Sequence, residues 1–250
     1  MAACVAVFGL SAPEAFASSC QSNTPSGVWS SVGSWTNCGG TTPQATDTIQ
    51  ILNGHTITID GSNRTVLGAQ IDNGGTLANG GFTLTVNGTG SGINGFTVNG
   101  TLSGSGGLTL GGVAQVIDGS GTVSATGTVT VSSSLSVAAT ANITFAGTIS
   151  ISTLSTVTNN GIVTTTGTGG ITGGSSTATW TQGNNATLNF GGNTTSLLST
   201  GTLNATNTGN TVNYSGSTQT CKAVTYHHLS FSGSGTKTCT ATTVNGNLQL

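Results

Sequence analysis

The chain has 250 residues but only three basic and five acidic side chains, which gives a formal net charge of −2 at pH 7. Soluble domains usually carry charge on about a quarter of their residues. A chain with so little basic charge offers no attractive surface to nucleic acid or anionic lipid, and we expect neither as a partner. Its 41 glycines lack the strict every-third spacing of collagen, which excludes a triple helix.

The first predicted element is a signal peptide at residues 1–17. Ala2 to Leu10 form a short apolar run, and Ala15-Phe16-Ala17 has the small-x-small pattern of a cleavage site. The run is too short to span a bilayer and no later stretch is long enough, so we expect secretion and no membrane insertion. A buried N-terminal strand is the alternative interpretation of the same run.

Residues 18–47 form the next segment, which we interpret as an N-terminal cap. The segment contains Trp29 and Trp35 together with the turn residues Pro25, Gly39-Gly40 and Pro43. Because the terminal repeats of a stacked structure must cover their exposed edge, a segment rich in tryptophan and turns suits that position.

Four cysteines follow the signal peptide: Cys20, Cys38, Cys221 and Cys239. An even number in an exported protein indicates disulfides. Four cysteines allow three pairings, and the sequence leaves that choice open. Free thiols or a zinc site are the alternatives, although there is no Cys-x-x-Cys spacing and no histidine pair near the N-terminal cysteines.

From about residue 66 to residue 250 the chain repeats a short pattern in which apolar residues alternate with Thr or Ser, and Gly, Asn or Ser ends each copy. Thr, Val and Ile favour strands. The apolar centres fall near Phe96, Leu102, Leu108, Val116, Val123, Val129, Leu135, Ile143, Ile149, Val157 and Ile162. Most of these centres are too close together for the strands of a β-sandwich, which recur about every eight to twelve residues.

Every third centre gives Phe96, Val116, Leu135 and Val157, which follow one another by 20, 19 and 22 residues. Three short strands per coil of about 20 residues describe a solenoid. The predicted fold is therefore all-β: a single right-handed parallel β-solenoid over residues 48–250. Its coils would stack about 4.8 Å apart around one apolar column, and Gly and Asn at the corners would tolerate the positive φ of a turn.

The coil length also bears on the cysteines. Cys20 and Cys38 are separated by 18 residues, and so are Cys221 and Cys239. Residues one coil apart would be about 4.8 Å apart, within the Cα separation of a disulfide. Each pair therefore looks like a staple between neighbouring coils, one at either end of the solenoid.

The predicted solenoid ends in an open alternating strand, Val244-Asn245-Gly246-Asn247-Leu248-Gln249-Leu250. An uncovered strand edge can pair with another chain, and head-to-tail contacts that do not close produce filaments. We therefore expect these residues to form a self-assembly edge that pairs with the first coil of the next copy.

Two sets of segments carry a family resemblance. The first set comprises Trp29, Trp35, Pro43, Asp47-Thr48-Ile49-Gln50-Ile51, Gly54-His55-Thr56-Ile57-Thr58-Ile59-Asp60 and Gly74-Gly75-Thr76-Leu77. The second comprises Tyr214-Ser215-Gly216-Ser217, Tyr226 to Thr238 and Val244-Asn245-Gly246-Asn247-Leu248. The first resembles the opening of bacterial secreted β-solenoid surface proteins, and the second is similar to a repeat in the same adhesin-like proteins. The resemblance implies a parallel β-helix at a cell surface and implies no activity.

Catalysis is not expected. Polysaccharide lyases and hydrolases need clustered carboxylates, whereas the chain after the signal peptide contains only Asp47, Asp60, Asp72 and Asp118. Asp60 and Asp72 are twelve residues apart, which is not a coil length, so we expect them on different faces. We predict no catalytic residue, no cofactor and no metal site.

The histidines are interpreted as structural. His227 and His228 are adjacent on a predicted strand, which would direct their side chains to opposite faces and prevent them from holding one ion together. His55 lies in a Gly-His-Thr turn, where we expect a hydrogen bond at a corner.

Threonine ladders on a flat face would order water and bind ice. The chain contains the Thr-x-Thr pairs Thr56/Thr58, Thr83/Thr85, Thr128/Thr130 and Thr164/Thr166. Because the pairs do not recur at the coil length, we expect outward-facing strand residues rather than a continuous array.

These observations favour a non-enzymatic secreted structural protein that self-assembles end to end into an extracellular fibre, matrix or surface layer. The alternative is a β-solenoid stalk or module of a cell-surface adhesin that binds extracellular glycans. Ice binding through the threonine faces is less favoured than either.

Overall fold

The computed structural model describes residues 17–167, 169–192, 196–240 and 242–250. Within these ranges the chain is an all-β parallel β-solenoid of about nine coils, with about 22 residues per coil and almost no helix. The predicted fold class is confirmed, and the coil is slightly longer than expected. All but the last residue of the predicted signal peptide lies outside the described residues.

Thirty-one short strands form the solenoid. In chain order they are β1 (Ser19–Ser22), β2 (Ser26–Val28), β3 (Trp35–Thr36), β4 (Thr48–Ile51), β5 (Thr56–Thr58), β6 (Arg64–Val66), β7 (Gly68–Ile71), β8 (Thr76–Ala78), β9 (Leu84–Val86), β10 (Phe96–Val98), β11 (Thr101–Ser103), β12 (Leu108–Leu110), β13 (Gln115–Asp118), β14 (Thr122–Val123), β15 (Val129–Val131), β16 (Leu135–Val137), β17 (Asn142–Phe145), β18 (Ile149–Ile151), β19 (Thr156–Asn159), β20 (Ile162–Thr165), β21 (Ile171–Gly173), β22 (Thr179–Gln182), β23 (Thr187–Phe190), β24 (Thr202–Asn204), β25 (Thr211–Tyr214), β26 (Gln219–Thr220), β27 (Thr225–Tyr226), β28 (His228–Phe231), β29 (Lys237–Thr238), β30 (Thr243–Val244) and β31 (Leu248–Gln249). Two 3-10 helices, Val32–Ser34 and Gly92–Asn94, lie in connections.

Most coils give one strand to each of three long sheets. Sheet A contains β1, β4, β7, β10, β13, β16, β19, β22 and β24, with β3 added at its start. Sheet B runs through β2, β5, β8, β11, β14, β17, β20, β23, β25, β28 and β31, and sheet C through β6, β9, β12, β15, β18 and β21. The last coils add two short parallel pairs, β26 with β29 and β27 with β30.

The core is a set of apolar columns, because alternate residues of each strand point inward and equivalent positions stack from coil to coil. In sheet B one column runs through Ile57, Leu77, Leu102, Val123 and Phe145, which pair in register and are all buried. Full burial of one such side chain stabilises the fold by about 1.5–3 kcal/mol. The repeated alternation of the sequence therefore produces one continuous core.

The apolar centre expected near Val116 is displaced by one residue, since the Val116 side chain faces outward and is half-buried. Its neighbour Ile117 points inward and continues the column from Phe96 to Val137. The inward position on the other side belongs to Gln115, whose buried amide donates to the carbonyl oxygen of Val86 at 3.3 Å.

The predicted centre Ile162 is also on the outer face. In β20 the inward residues are Val163 and Thr165, and Ile162 is 39% exposed. A shift of one residue moves a whole strand to the opposite face. Ile162 and Val163 are adjacent apolar residues, so the alternation alone did not define which of them is buried.

Glycines form a column at the corner that follows the strands of sheet B. One glycine in each of five successive coils lies close to the backbone of the coil before it: Gly106, Gly127, Gly147, Gly169 and Gly192. None of the five has a positive φ, so the lack of a Cβ matters here for close approach of two backbones. The expected role of corner glycines in positive-φ turns is observed instead at positions such as Gly54 and Gly74.

Buried amides satisfy the backbone at several corners. The Asn79 carboxamide oxygen accepts the N–H of Gly106 at 2.9 Å, and the Gln219 amide donates to the carbonyl oxygen of Phe190 at 2.8 Å. Each bond joins neighbouring coils. Buried polar groups are almost always hydrogen-bonded in this way, so these amides close corners where strand pairing is interrupted.

The predicted cap segment, residues 18–47, contributes strands to the solenoid. β1 and β2 pair in parallel with β4 and β5, and β3 pairs antiparallel with the other edge of β1. Trp29 and Trp35 are buried in edge-to-face contact, with 5.1 Å between ring centroids. The Trp35 indole donates to the carbonyl oxygen of Trp29 at 3.0 Å, which fixes the two rings in the first coil.

Two disulfides join Cys20 to Cys38 and Cys221 to Cys239, with Cα separations of 4.7 and 4.8 Å. The second joins neighbouring coils, beside the pairing of β26 with β29. The Cys20–Cys38 disulfide does not join successive parallel coils, so that part of the prediction is wrong. Cys20 is opposite Ile49 in the next coil, whereas Cys38 directly follows the antiparallel strand β3. Disulfides indicate an oxidising environment outside the cytoplasm.

Candidate functional surfaces

Asp60 and Arg64 form a local cluster with the first coil. The Asp60 carboxylate accepts the hydroxyl and the backbone N–H of Ser30, and it lies 3.9 Å from the Arg64 guanidinium. The hydrogen bond from the Ser30 hydroxyl is the main cause that lowers the pKa of Asp60. The Arg64 guanidinium carbon lies 5.9 Å from the centroid of the Trp29 ring, so the cluster attaches the first coil to the second.

The other three aspartates also accept local hydrogen bonds. Asp47 accepts the N–H groups of Ser18 and Gln44, Asp72 accepts the amides of Gln50 and Gln70, and Asp118 accepts the Thr140 hydroxyl and the Gly119 N–H. Asp60 follows a sheet B strand and Asp72 follows a sheet A strand, as expected for different faces. Each carboxylate thus has a structural partner.

Within the described ranges, no group of three or more His, Cys, Asp or Glu residues is arranged to hold a metal ion. In the same ranges, no helix has the length and apolar character needed to cross a bilayer.

Both lysines bind backbone carbonyl oxygens. The Lys237 ammonium donates to Gly216, Ser217 and Ser234 at 2.7, 2.7 and 2.9 Å. Lys222 donates to the carbonyl oxygen of Leu198 at 2.7 Å. The two cations therefore hold corners of the last coils together, a role that no sequence pattern indicates.

Tyr214 and Tyr226 form a buried pair near the same end, with 2.9 Å between their hydroxyl oxygens. The Tyr226 hydroxyl donates to the carbonyl oxygen of Lys222, whose N–H donates to the Tyr214 hydroxyl. Desolvation by burial raises the pKa of both tyrosines. The network is neutral and fully internal.

The histidine pair differs from its prediction. His227 lies between β27 and β28, at a corner, and its ring contacts the ring of His228 with 4.3 Å between centroids. The expectation of opposite faces is therefore wrong, because the chain bends where a continuous strand was expected. His55 lies at a corner as expected, with its Nδ1 atom 2.8 Å from the Ser22 hydroxyl oxygen.

Threonines form ladders on two sheets, unbroken over six coils in sheet B and interrupted by one serine in sheet C. Sheet B presents Thr56, Thr76, Thr101, Thr122, Thr144 and Thr164 in register, and sheet C presents Thr65, Thr85, Thr109, Thr130, Ser150 and Thr172. The expectation that no continuous array forms is wrong for such single ladders. The predicted Thr-x-Thr pairs belong partly to sheet B and partly to sheet C, which is why their spacing did not match one coil.

Sheet A carries a shorter array with two threonines per strand. Thr156 and Thr158 in β19 pair in register with Thr179 and Thr181 in β22, and Thr202 continues the first row in β24. This array was not among the predicted features. The signal was present, because two Thr-x-Thr pairs follow each other by 23 residues, close to one coil.

The C-terminal end of the solenoid exposes its apolar core. A cavity of about 480 Å³ is lined mainly by apolar side chains, together with one lysine and one threonine: Leu229, Phe231, Lys237, Cys239, Thr242, Val244, Leu248 and Leu250. The predicted strand 244–250 is divided into β30 and β31 by a corner, where Asn245 and Gly246 donate to the carbonyl oxygens of the preceding coil. In the described part of the chain, β31 pairs only with β28.

No known protein family, no curated protein and no solved structure matches this chain.

Proposed function

We propose that the chain is a secreted, non-enzymatic structural rod of the adhesin-like surface class, which associates end to end in an extracellular fibre, matrix or surface layer. The observation that carries the proposal is the open apolar end around β31. The disulfides agree with a location outside the cytoplasm.

Covering this end would remove apolar side chains from water. Leu248 and Leu250 are 56% and 92% exposed, and burial of one such side chain contributes about 1.5–3 kcal/mol. The free edge of β31 also presents backbone groups that favour pairing with another strand. A second copy would satisfy both requirements.

Sheet B offers a specific way to join two copies. Its order begins with β2 and ends with β31, and neither terminal strand has a further partner within the described ranges. Head-to-tail contact would pair β31 with β2 of the next copy and continue sheet B in parallel. Sheet A cannot continue so directly, since β3 covers β1. Further residues of a longer chain would occupy the same surface, so the test uses residues 18–250.

Sedimentation velocity of this protein at increasing concentration, with negative-stain electron microscopy, tests the proposal. We expect species that grow with concentration and appear as rods one solenoid wide. Persistent monomers at the highest concentration would contradict it.

A matched pair of variants locates the contact. Leu248→Asp places a charge at the open end and should abolish association. Leu154→Asp introduces the same charge at a residue that is 79% exposed in the connection between β18 and β19, and it should leave association unchanged. Equal effects of the two variants would place the contact elsewhere.

Ice binding is the second candidate, and the threonine ladders of sheets B and C favour it. Their members recur at the strand spacing of about 4.8 Å, close to the repeat of water molecules in the ice lattice. Hydroxyl and methyl groups at that repeat would hold an ordered water layer. Thermal hysteresis and ice recrystallisation measurements test this, with Thr122→Lys in sheet B and Thr109→Lys in sheet C to identify the face. No activity in the unaltered protein would exclude it.

A further inference from the structure

His227 and His228 connect three successive coils. Nδ1 of His227 accepts the N–H of Gly209 in the coil before, at 3.3 Å, and Nδ1 of His228 accepts the N–H of Asn247 in the coil after, at 2.8 Å. The chain at Gly246 lies directly against the His228 ring, since a Cβ there would stand 2.6 Å from Nδ1. The pair therefore participates in attaching the last coil.

The partners of these rings determine their protonation. A backbone N–H can only donate, so Nδ1 of each ring must be an unprotonated acceptor. Each neutral imidazole then carries its proton on Nε2. If Nδ1 were protonated, a ring N–H would face a backbone N–H and neither hydrogen bond could form. Two positive charges would also stand on rings whose centroids are 4.3 Å apart.

The surroundings provide nothing to compensate that charge. The segments packed on the pair, 205–211 and 243–247, contain no titratable side chain. The neighbouring Tyr226 hydroxyl is bonded to Lys222 and Tyr214, and Lys222 has the same sign as a protonated histidine. Among the described residues, no carboxylate lies within 4.0 Å of either ring, as the one ion pair there joins Arg64 and Asp60.

We propose that His227 and His228 form an acid-sensitive latch for residues 243–250. The latch is closed when both rings are neutral and opens when they become protonated, because a protonated Nδ1 cannot accept the backbone N–H that faces it. Opening releases β30 and β31 from the coil before them. The latch acts within one molecule and does not depend on end-to-end association.

His55 provides an internal control. Its Nδ1 atom faces the hydroxyl of Ser22, and a hydroxyl can either donate or accept. Protonation of His55 therefore leaves a hydrogen bond in place. The difference between the two sites lies in the partner of each ring rather than in the histidine itself.

Hydrogen exchange measured by mass spectrometry tests the latch, with rates corrected for the intrinsic effect of pH. We expect the protection of residues 243–250 to fall about tenfold between about pH 7.5 and about pH 5, as the bond from Asn247 to His228 is lost and the adjacent His227 ring gains charge of the same sign. The segment around His55 should keep its protection. Unchanged protection of residues 243–250 would overturn the proposal.

The double variant His227→Asn with His228→Asn gives the second test, since a carboxamide oxygen accepts an N–H without titrating. Its last coil should stay protected at both pH values, whereas His55→Asn should retain the acid response of the unaltered protein. An acid-induced loss that persists in the double variant would refute the latch. If that variant does not fold, nitrogen-15 NMR of the unaltered protein can identify which ring nitrogen carries the proton at neutral pH. A proton on Nδ1 of the neutral His227 or His228 ring would contradict the proposal.

Discussion

Replacing Gly127 by alanine tests whether the glycine column exists for close approach of the coils. A Cβ at this position would stand 2.5 Å from the carbonyl carbon of Gly106 and 2.8 Å from the nitrogen of Gly107, and closer still to the Gly106 oxygen. All three atoms are backbone, held by the pairing of β11 with β14 and of β12 with β15. The steric overlap can therefore be relieved only if the two coils move apart.

The cost follows from these contacts. Overpacking of this kind destabilises by about 1–3 kcal/mol, and the reduced freedom of alanine in the unfolded chain returns about 0.4–1 kcal/mol. In a protein of this size, each kcal/mol lowers Tm by about 2–4 °C. Thermal unfolding followed by circular dichroism measures the shift.

Gly33→Ala is the matched control. This glycine also has no positive φ, and the nearest atom to an added Cβ is the Ser31 hydroxyl oxygen at 3.7 Å. Its stability should change by less than about 0.5 kcal/mol. If Gly127→Ala were as stable as Gly33→Ala, close packing would not be the reason for the column.

Three further predictions concern the ends of the solenoid. Replacing Cys221 and Cys239 by serine should cost about 3 kcal/mol, the loop-closure value for a loop of this length, and an unchanged urea midpoint would contradict it. Burial raises the pKa of Tyr226, so its contribution to stability is complete below about pH 10 and is lost as pH rises above that value; Tyr226→Phe should make the alkaline fall of Tm shallower. Hydrogen bonds from Ser30 lower the pKa of Asp60, so its contribution is present above about pH 4 and is lost as pH falls; Asp60→Asn should flatten the acid decline of Tm, and an equally steep decline would exclude this cause.

The solenoid was predictable because its coil length is visible as a period in the sequence. The position of each side chain was less predictable, because adjacent apolar residues permit two phases of the same strand. Apolar centres were placed near Val116 and Ile162 for this reason, although Ile117 and Val163 are the residues in the core. The register with neighbouring coils decides between the phases, and that information is not local.

The surfaces were harder to predict than the fold. The threonine ladders escaped notice because Thr-x-Thr pairs from different sheets were compared with one another, while members of one ladder come from single threonines one coil apart. The histidine contact depended on a corner at His227 that no Gly or Pro marks. The spacing of Cys20 and Cys38 indicated that they pair. It did not indicate that Cys38 follows an antiparallel strand, because nothing in the sequence marks the reversal of direction at β3.

The stacking of coils also determines how the molecule would respond to mechanical force. Tension along the axis loads the hydrogen bonds between successive coils in series, so the weakest interface yields first and coils peel away one at a time from an end. Each disulfide links two cysteines that are 18 residues apart, so the chain between them cannot extend. A rod built in this way would lengthen in steps of one coil, and the interface closed by Cys221 and Cys239 would be the last near its end to give way.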